Sequence, residues 1–421
     1  MKIAAGLAVN VQEKILLSRQ IRHRDDAMID KFTTVYAGHI DMPDRGKEAT
    51  PANERRFSAG ELRGVFGKLE RVTQTMDRLG WHSMWMAEHH FQHEGYEVIP
   101  NSLMAAVHLC HITDEIKIGC GFNISPMWHP LRLAEDYAQA DIMTKGRTIF
   151  GVGRGYHTRE VETFGAPLRD QTANRELFEE QVEVLFKAFH QESFSHKGKY
   201  YNLPANVPYR GYDLEEITVV PRPVNLPVEC WQPVVSARPR GLDFMHKYGM
   251  KGFIGGGAAT LDEGPIRAYQ EAGVRAGKEL ELGEGINIGL HMLLGETKEE
   301  AIKNITPLFE EHAKLFGPLG FLPGLSDKQL AAIAQRGDWY SQGVPKVENY
   351  MKMGAWFAGT SEELTELIKG FEEMFPGLEY INLSMPMCTP ESMMIEQYTK
   401  IAEEVMPHFS GGEHVKKAAA E

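Results

Sequence analysis

Glu88, His89 and His90 stand in a row between Ala87 and Phe91, directly after the apolar run Ser83-Met84-Trp85-Met86. An acid and two imidazoles at the end of a buried strand are costly to place unless protons or charge are handled there. Further along, residues 147–150 open into Gly151-Val152-Gly153-Arg154-Gly155-Tyr156. That glycine-rich turn carries one arginine and is suited to holding a phosphate. A third run ends Gly119-Cys120-Gly121-Phe122-Asn123, where small residues let a flat ring approach the backbone. Proton-handling and phosphate-holding groups on successive strands point to a cofactor-dependent enzyme. The plainer alternative is a helix cap beside two structurally satisfied histidines.

Other signals are weaker. His89 and His93 are four apart and His108 and His111 three apart, which suits a helix face. Yet no His-x-His follows a strand and no later Asp completes a ligand set, so no metal is expected. A metallohydrolase stays as an alternative, which loss of activity on chelation would support. Gly255-Gly256-Gly257 reads as a turn.

These residues need elements to position them. Apolar, strand-like runs at 32–38, 83–87, 116–122, 148–152, 231–237, 252–254, 286–294 and 378–384 alternate with helical periodicity. Leu62, Val65, Phe66, Leu69, Val72, Met76 and Leu79 mark one such helix, which Gly80 stops. Eight strand–helix units predict an α/β fold closed into a (β/α)8 TIM barrel, with the site at the C-terminal ends of the strands. An open doubly wound sheet is the structural alternative. Residues 1–30 read as an N-terminal extension and 31–421 as a single barrel. Insertions are expected at about 193–229 and at 305–358, where Pro307, Gly317-Pro318 and Pro323-Gly324 interrupt short helical pieces. Long βα-loop insertions often act as lids.

With 45 Lys and Arg against 58 Asp and Glu, the net charge of −13 disfavours nucleic acid and anionic membranes as partners. Cys110, Cys120, Cys230 and Cys388 lack CxxC spacing and read as free thiols of a reducing compartment. The N-terminal stretch is too weakly apolar for a signal peptide, and no membrane-spanning run occurs, so a cytoplasmic location is expected.

Residues 88–185 resemble the bacterial luciferase-like, two-component flavin monooxygenases. The likeness rests on Ala87-Glu88-His89-His90-Phe91, on Gly119 through Ser125-Pro126, and on His129-Pro130-Leu131-Arg132-Leu133-Ala134-Glu135-Asp136. It continues through Lys145-Gly146-Arg147, Gly151-Val152-Gly153-Arg154-Gly155 and Phe164-Gly165, in order and with spacing kept. Beyond this stretch the likeness is looser. The resemblance implies a TIM barrel that binds FMN, reduced by a separate NAD(P)H:flavin reductase, and uses O2 to oxygenate a small organic substrate, as a homodimer. By the same resemblance His89 is the catalytic histidine and Arg154, followed by Gly155, binds the FMN phosphate. Gly121 and Phe122 lie against the ring, where the family often has a non-prolyl cis peptide. Ser236, Ala237 and Arg238 align with the rest of the phosphate cradle, but luciferases have a glutamate and a serine where this chain has Ala237 and Arg238. Glu88 is expected to orient His89, and Phe122, Met127, Trp128 and Tyr156 are candidate walls for the ring.

Activating O2 at a reduced flavin demands a dry, closed pocket, which apolar strand ends and a long lid can supply. An imidazole titrating near ~6.5 can move a proton there. Two rivals share the fold: an F420-dependent oxidoreductase that transfers hydride without oxygen, and a non-catalytic flavin-binding protein. The Glu-His-His-Phe form favours FMN over F420, and retention of His89 argues against an inert binder.

Overall fold

Strand β1 (Lys31–Tyr36) reads KFTTVY, rich in β-branched and aromatic residues, and pairs in parallel on both edges. Phe32 stands opposite Ile381 on one side, and Val35 stands opposite Trp85 on the other. From there the ladder runs through β2 (Ser83–Met86), β3 (Lys117–Cys120), β4 (Thr148–Gly153), β5 (Cys230–Pro233), β6 (Lys251–Ile254), β7 (Ile286–Leu294) and β8 (Tyr380–Ser384). Since β8 returns to β1 and every pairing is parallel, the sheet closes into the eight-stranded barrel that the sequence predicts. The computed structural model describes residues 29–255, 263–322 and 324–409. Most of the expected N-terminal extension and two of the three glycines of 255–257 therefore lie outside the described residues.

The barrel interior is filled by Trp85, Ile149, Trp231, Phe253 and Tyr380, with Val35 and Phe122 packed against them. Glycine makes room for the largest of these: a Cβ on Gly119 would sit 2.3 Å from the Trp85 ring. The larger apolar layer lies between the outer faces of the strands and the surrounding helices. The first of these helices, Ala59–Arg78, is opened by a capping box of Ser58 and Glu61. It buries Val65, Leu69, Val72 and Met76, but Phe66, expected on the core face, is 41% exposed and Lys68 is buried in its place.

The two insertions differ. Residues 193–229 carry two short hairpins, His196–Lys197 with Asn202–Leu203 and Pro208–Tyr209 with Tyr212–Asp213. The region expected to break at Pro307 instead contains one helix, Lys298–Phe316, that runs through the proline. Residues 308–314 of this helix are buried without interruption, so it is covered on more than one face. One cover is the long loop after β1. Glu311 accepts from Arg55 Nε (3.0 Å), Tyr96 Oη (2.5 Å), Gly46 N (3.0 Å) and Lys314 Nζ (3.0 Å). Leu315 and Phe316 pack on a cluster from the ends of β1, β2 and β8 that includes Ala37, Ala87, Met387 and Cys388. The helix thus closes over one side of the barrel's C-terminal mouth.

Candidate active site

The floor of the mouth comes from strand ends whose inward positions stay partly accessible: Val35, Gly121, Phe122, Pro233 and His291. Gly121 N donates to Met86 O at 2.8 Å, which ties the end of β3 to β2, and the Gly121–Phe122 peptide is cis. At Gly151 a Cβ would lie 2.1 Å from Cys120 O, so only glycine allows β4 to pass this close.

On one flank β2 delivers Glu88, His89 and His90. Successive residues of an extended chain point to opposite sides, which separates the three. His90 Nε2 and Glu88 Oε1 are 3.1 Å apart, while His89 faces away from both. Glu88 is held by Trp128 Nε1 (2.9 Å) and by Ile124 N (2.9 Å). The expectation that Glu88 orients His89 is therefore corrected. The residue that does so is Glu160, on the short helix Thr158–Val161, whose Oε2 lies 3.2 Å from His89 Nδ1. Glu160 also accepts from His90 N at 3.0 Å. On the other ring nitrogen, His89 Nε2 lies 3.0 Å from Tyr156 Oη and 3.1 Å from Glu97 Oε1. Glu97 Oε2 in turn is 3.1 Å from His157 Nε2.

Glu88, Glu97 and Glu160 are 1%, 1% and 2% exposed, and among the described residues no Lys or Arg forms an ion pair with any of them. Each is matched to an imidazole: Glu88 to His90, Glu97 to His157, Glu160 to His89. Buried carboxylates without basic partners are costly unless protons stay on their neighbours. Burial alone would lower the His89 pKa, but Glu97 and Glu160 outweigh it and the net shift is upward. Burial would likewise raise Glu160, but its hydrogen bond and charge interaction with His89 bring it down. Both shifts favour a proton on His89, which has carboxylates on both sides of its ring. The same cluster answers the metal question in part: His89, His157 and Glu160 could present ligand atoms within 4.8 Å of one another, and no metal was expected.

On the other flank β4 delivers Arg154 and Gly155. Arg154 is half-buried, and no hydrogen bond or ion pair from its guanidinium is recorded among the described residues. Its pKa is lowered by burial first and by the neighbouring Arg175 second. Arg175 lies on the helix Gln171–His190, with a guanidinium nitrogen 3.9 Å from where a Cβ on Gly241 would be. Gly241 belongs to the first turn of the helix Pro239–Lys247, which begins after Arg238 without any side-chain cap. Pro239 has no N–H and Gly241 N already donates to Arg238 O (3.1 Å), which leaves Arg240 N as the backbone donor of this turn open to another acceptor. Two arginines and an uncapped helix start converge, and Ser236, Ala237 and Arg238 are exposed at that entrance. This set has the chemistry of a phosphate cradle, with Arg175 as a member that the sequence did not single out.

Phe122 lies in the floor, Tyr156 stands on the flank with its Oη 3.0 Å from His89 Nε2, and Trp128 is tied to Glu88. The free cysteines are all buried. Among the described residues no helix is long and apolar enough to cross a membrane.

Residues 46–376 match the model of the luciferase-like monooxygenase family. Among curated proteins, the oxygenase component of a flavin-dependent trigonelline monooxygenase from Acinetobacter baylyi is 27% identical over 33% of this chain and 38% of its own length. The alkanal monooxygenase alpha chain of Photorhabdus laumondii is 31% identical over 29% of this chain and 33% of its own. The chain thus aligns with about a third of the length of these relatives. Among solved structures, the oxygenating constituent of 3,6-diketocamphane monooxygenase from Pseudomonas putida, in complex with FMN, superposes with a TM-score of 0.67. It is 18% identical, over 90% of this chain and 98% of that one. An F420-dependent secondary alcohol dehydrogenase in complex with an F420-acetone adduct gives a TM-score of 0.61 at 15% identity, over 91% and 99% of the two chains.

Proposed function

The chain belongs to the luciferase-like monooxygenase family, and on that premise we propose that it binds reduced FMN and uses O2 to oxygenate a small organic substrate. The observation that carries this reading is the pairing of two unlike flanks across one accessible floor. Arg154 and Arg175, with the start of the helix Pro239–Lys247, would hold the phosphate. Gly121 and Phe122 would lie against the ring. His89 would stand beside its reactive edge, with a proton available between Glu160 and Glu97. The residues fit the group: an unpaired, half-buried guanidinium at Arg154, beside Arg175 and the open backbone N–H of Arg240, suits a phosphate dianion. Bound there, the flavin supplies two electrons and the site at which oxygen is activated. The protein's part is to hold the ring, to keep water out beneath the helix Lys298–Phe316, and to give or take a proton at His89 Nε2 or through Tyr156 Oη.

Relatives named as an oxygenase component and as an oxygenating constituent support a separate flavin reductase as partner. A homodimer fits the exposed Phe66 and Met104 on the helices Ala59–Arg78 and Ser102–His111. Sedimentation as a monomer at micromolar concentration would count against it.

The function is tested by fluorescence titration with FMN and with F420, then by rapid mixing of the protein–reduced FMN complex with oxygenated buffer. The expected outcome is micromolar or tighter FMN binding, weaker F420 binding, and reoxidation in at least two spectrally distinct steps. Preference for F420 would move the assignment to hydride transfer. FMN binding with reoxidation no different from that of free flavin would leave only a flavin-binding protein.

A further inference from the structure

Across the mouth from Gly121 and Phe122, three aromatic rings carry ring nitrogens that have no hydrogen-bond partner among the described residues: His291 Nδ1, His312 Nδ1 and Trp356 Nε1. The rings touch one another, with centroids 4.5 Å apart for His291 and His312, 4.9 Å for His291 and Trp356, and 5.0 Å for His312 and Trp356. His291 shares its strand face with Asn287, whose Nδ2 donates to Thr33 Oγ1 across the barrel, so His291 looks into the lumen. His312 comes down from the helix Lys298–Phe316. Trp356 stands on a short strand, Trp356–Gly359, that pairs in parallel with the end of β7, with Trp356 opposite His291.

Unpartnered polar atoms are uncommon in a protein interior, and three in one cluster call for something that satisfies them. His291 is partly accessible at the end of β7, whereas His312 and Trp356 are buried, as are the three unpartnered nitrogens themselves. Burial pushes the His291 pKa down to about 4, and it holds His312 well below the usual histidine value, with His291 and His39 adding to the effect. No ion pair is recorded for either ring among the described residues. At neutral pH each is an uncharged imidazole with one donor and one acceptor. The neighbouring surface is apolar: the His312 and Phe316 rings are 4.4 Å apart, and Phe316 packs with Ala37, Ala87, Met387 and Cys388. From Phe316 the ring contacts continue through Phe321 to Tyr156, and so to His89.

We propose that His291, His312 and Trp356 form the polar end of the substrate site and select an uncharged organic molecule through a hydrogen-bonding oxygen, such as that of a ketone. The remainder of the molecule lies on the apolar cluster towards His89. A charged group has no counter-charge here and is disfavoured by its lost hydration. The inference rests on the flavin reading for the reaction that follows, but binding itself can be measured without turnover.

The FMN-loaded protein is titrated calorimetrically with three molecules of similar shape: acetophenone, α-methylstyrene, which lacks the oxygen, and the anion benzoate. Acetophenone is expected to bind about tenfold or more tightly than either of the others. His312→Phe and His291→Phe should abolish that preference, the first with FMN affinity unchanged, and His312→Gln should keep part of it. Equal binding of acetophenone and α-methylstyrene, a preference for benzoate, no detectable acetophenone binding, or a preference surviving both phenylalanine variants would overturn the proposal. FMN affinity is measured first in every variant. Its absence from the wild type would strike the flavin reading, whereas normal FMN binding without the ketone preference would strike only this inference.

Discussion

Arg154 and His89 stand on either side of the same floor, and their surroundings are opposite. Around Arg154 hydrogen-bonding capacity is left open: its own guanidinium has no ion pair, Arg175 has only a long contact to Glu179 (3.9 Å), and the helix Pro239–Lys247 starts without a side-chain cap. Around His89 charge is set against charge, with three buried carboxylates within 3.2 Å of three imidazoles and Tyr156 beside His89 and Glu97. Of the ring nitrogens that face these carboxylates, only His157 Nε2 has no hydrogen bond among the described residues. An end that must receive a ligand keeps its hydrogen-bonding capacity open, because donors already satisfied would have to be released first. An end that must keep a proton is closed on itself, because a buried charge is stable only with its partner already in place. The difference separates binding from reaction, and it can be broken from either side.

The largest effect should come from the open end. Arg154→Ala removes the one unpaired, half-buried cation at the phosphate position, and FMN affinity should fall on the order of a hundredfold. Arg175→Ala should cost about tenfold, since Arg175 already interacts with Glu179 at 3.9 Å. His89→Ala should change FMN affinity by less than about threefold while slowing the oxygen-dependent reaction. Fluorescence titration of the three variants measures this. Equal losses from Arg154→Ala and His89→Ala would show that the two ends do not divide the work.

A smaller effect is expected from the closed end. Glu160→Gln keeps the shape of the contact to His89 Nδ1 but removes its charge. Without that charge the upward pull on His89 weakens, so its protonated form is lost at lower pH. Reoxidation of bound reduced FMN should slow by about ten- to a hundredfold at neutral pH. Its pH profile should move to lower pH, with FMN affinity nearly unchanged. A merely structural Glu160 would lower activity without moving the profile, and that result would remove it as the positioning residue.

His89 and Arg154 were legible in the sequence for one reason: each directly follows a short apolar strand, and a polar group there has a place in the barrel before any contact is known. The strands were legible because Ser83–Met86, Thr148–Gly153 and Ile286–Leu294 are buried along their length, or nearly so, and read as apolar runs. Glu97 and Glu160 were not. Glu97 lies in a loop and Glu160 on the one-turn helix Thr158–Val161, each near other acids, and their meeting at His89 depends on the segments after β2 and β4 folding together. The assignment of Glu88 to His89 went wrong because neighbours in sequence face opposite ways in an extended chain. Pro307 misled for a related reason. A proline removes one helical hydrogen bond, but a helix buried at residues 308–314 and anchored through Glu311 can bear the loss.

The smallest effect is thermodynamic, and its sign distinguishes the two ends again. His89 has a raised pKa in the folded protein, so folding favours its charged form. That contribution is fully present below the unfolded value of about 6.5 and is lost as pH rises through the higher folded value. Glu160 is lowered from 4.5, so its contribution is present above that value and is lost only as pH falls through the folded one. The pair therefore stabilises the fold most between those limits, and on the alkaline side only the His89 contribution disappears. His89→Gln should lower the melting temperature most near pH 6, by about 2 °C or less, and progressively less towards pH 9. Arg154→Ala, whose group stays charged across this range, should show a pH-independent difference. Thermal melts of both variants across the range decide it: a flat His89→Gln difference, or one that grows with pH, would mean that the proton is not held on His89 by its carboxylates.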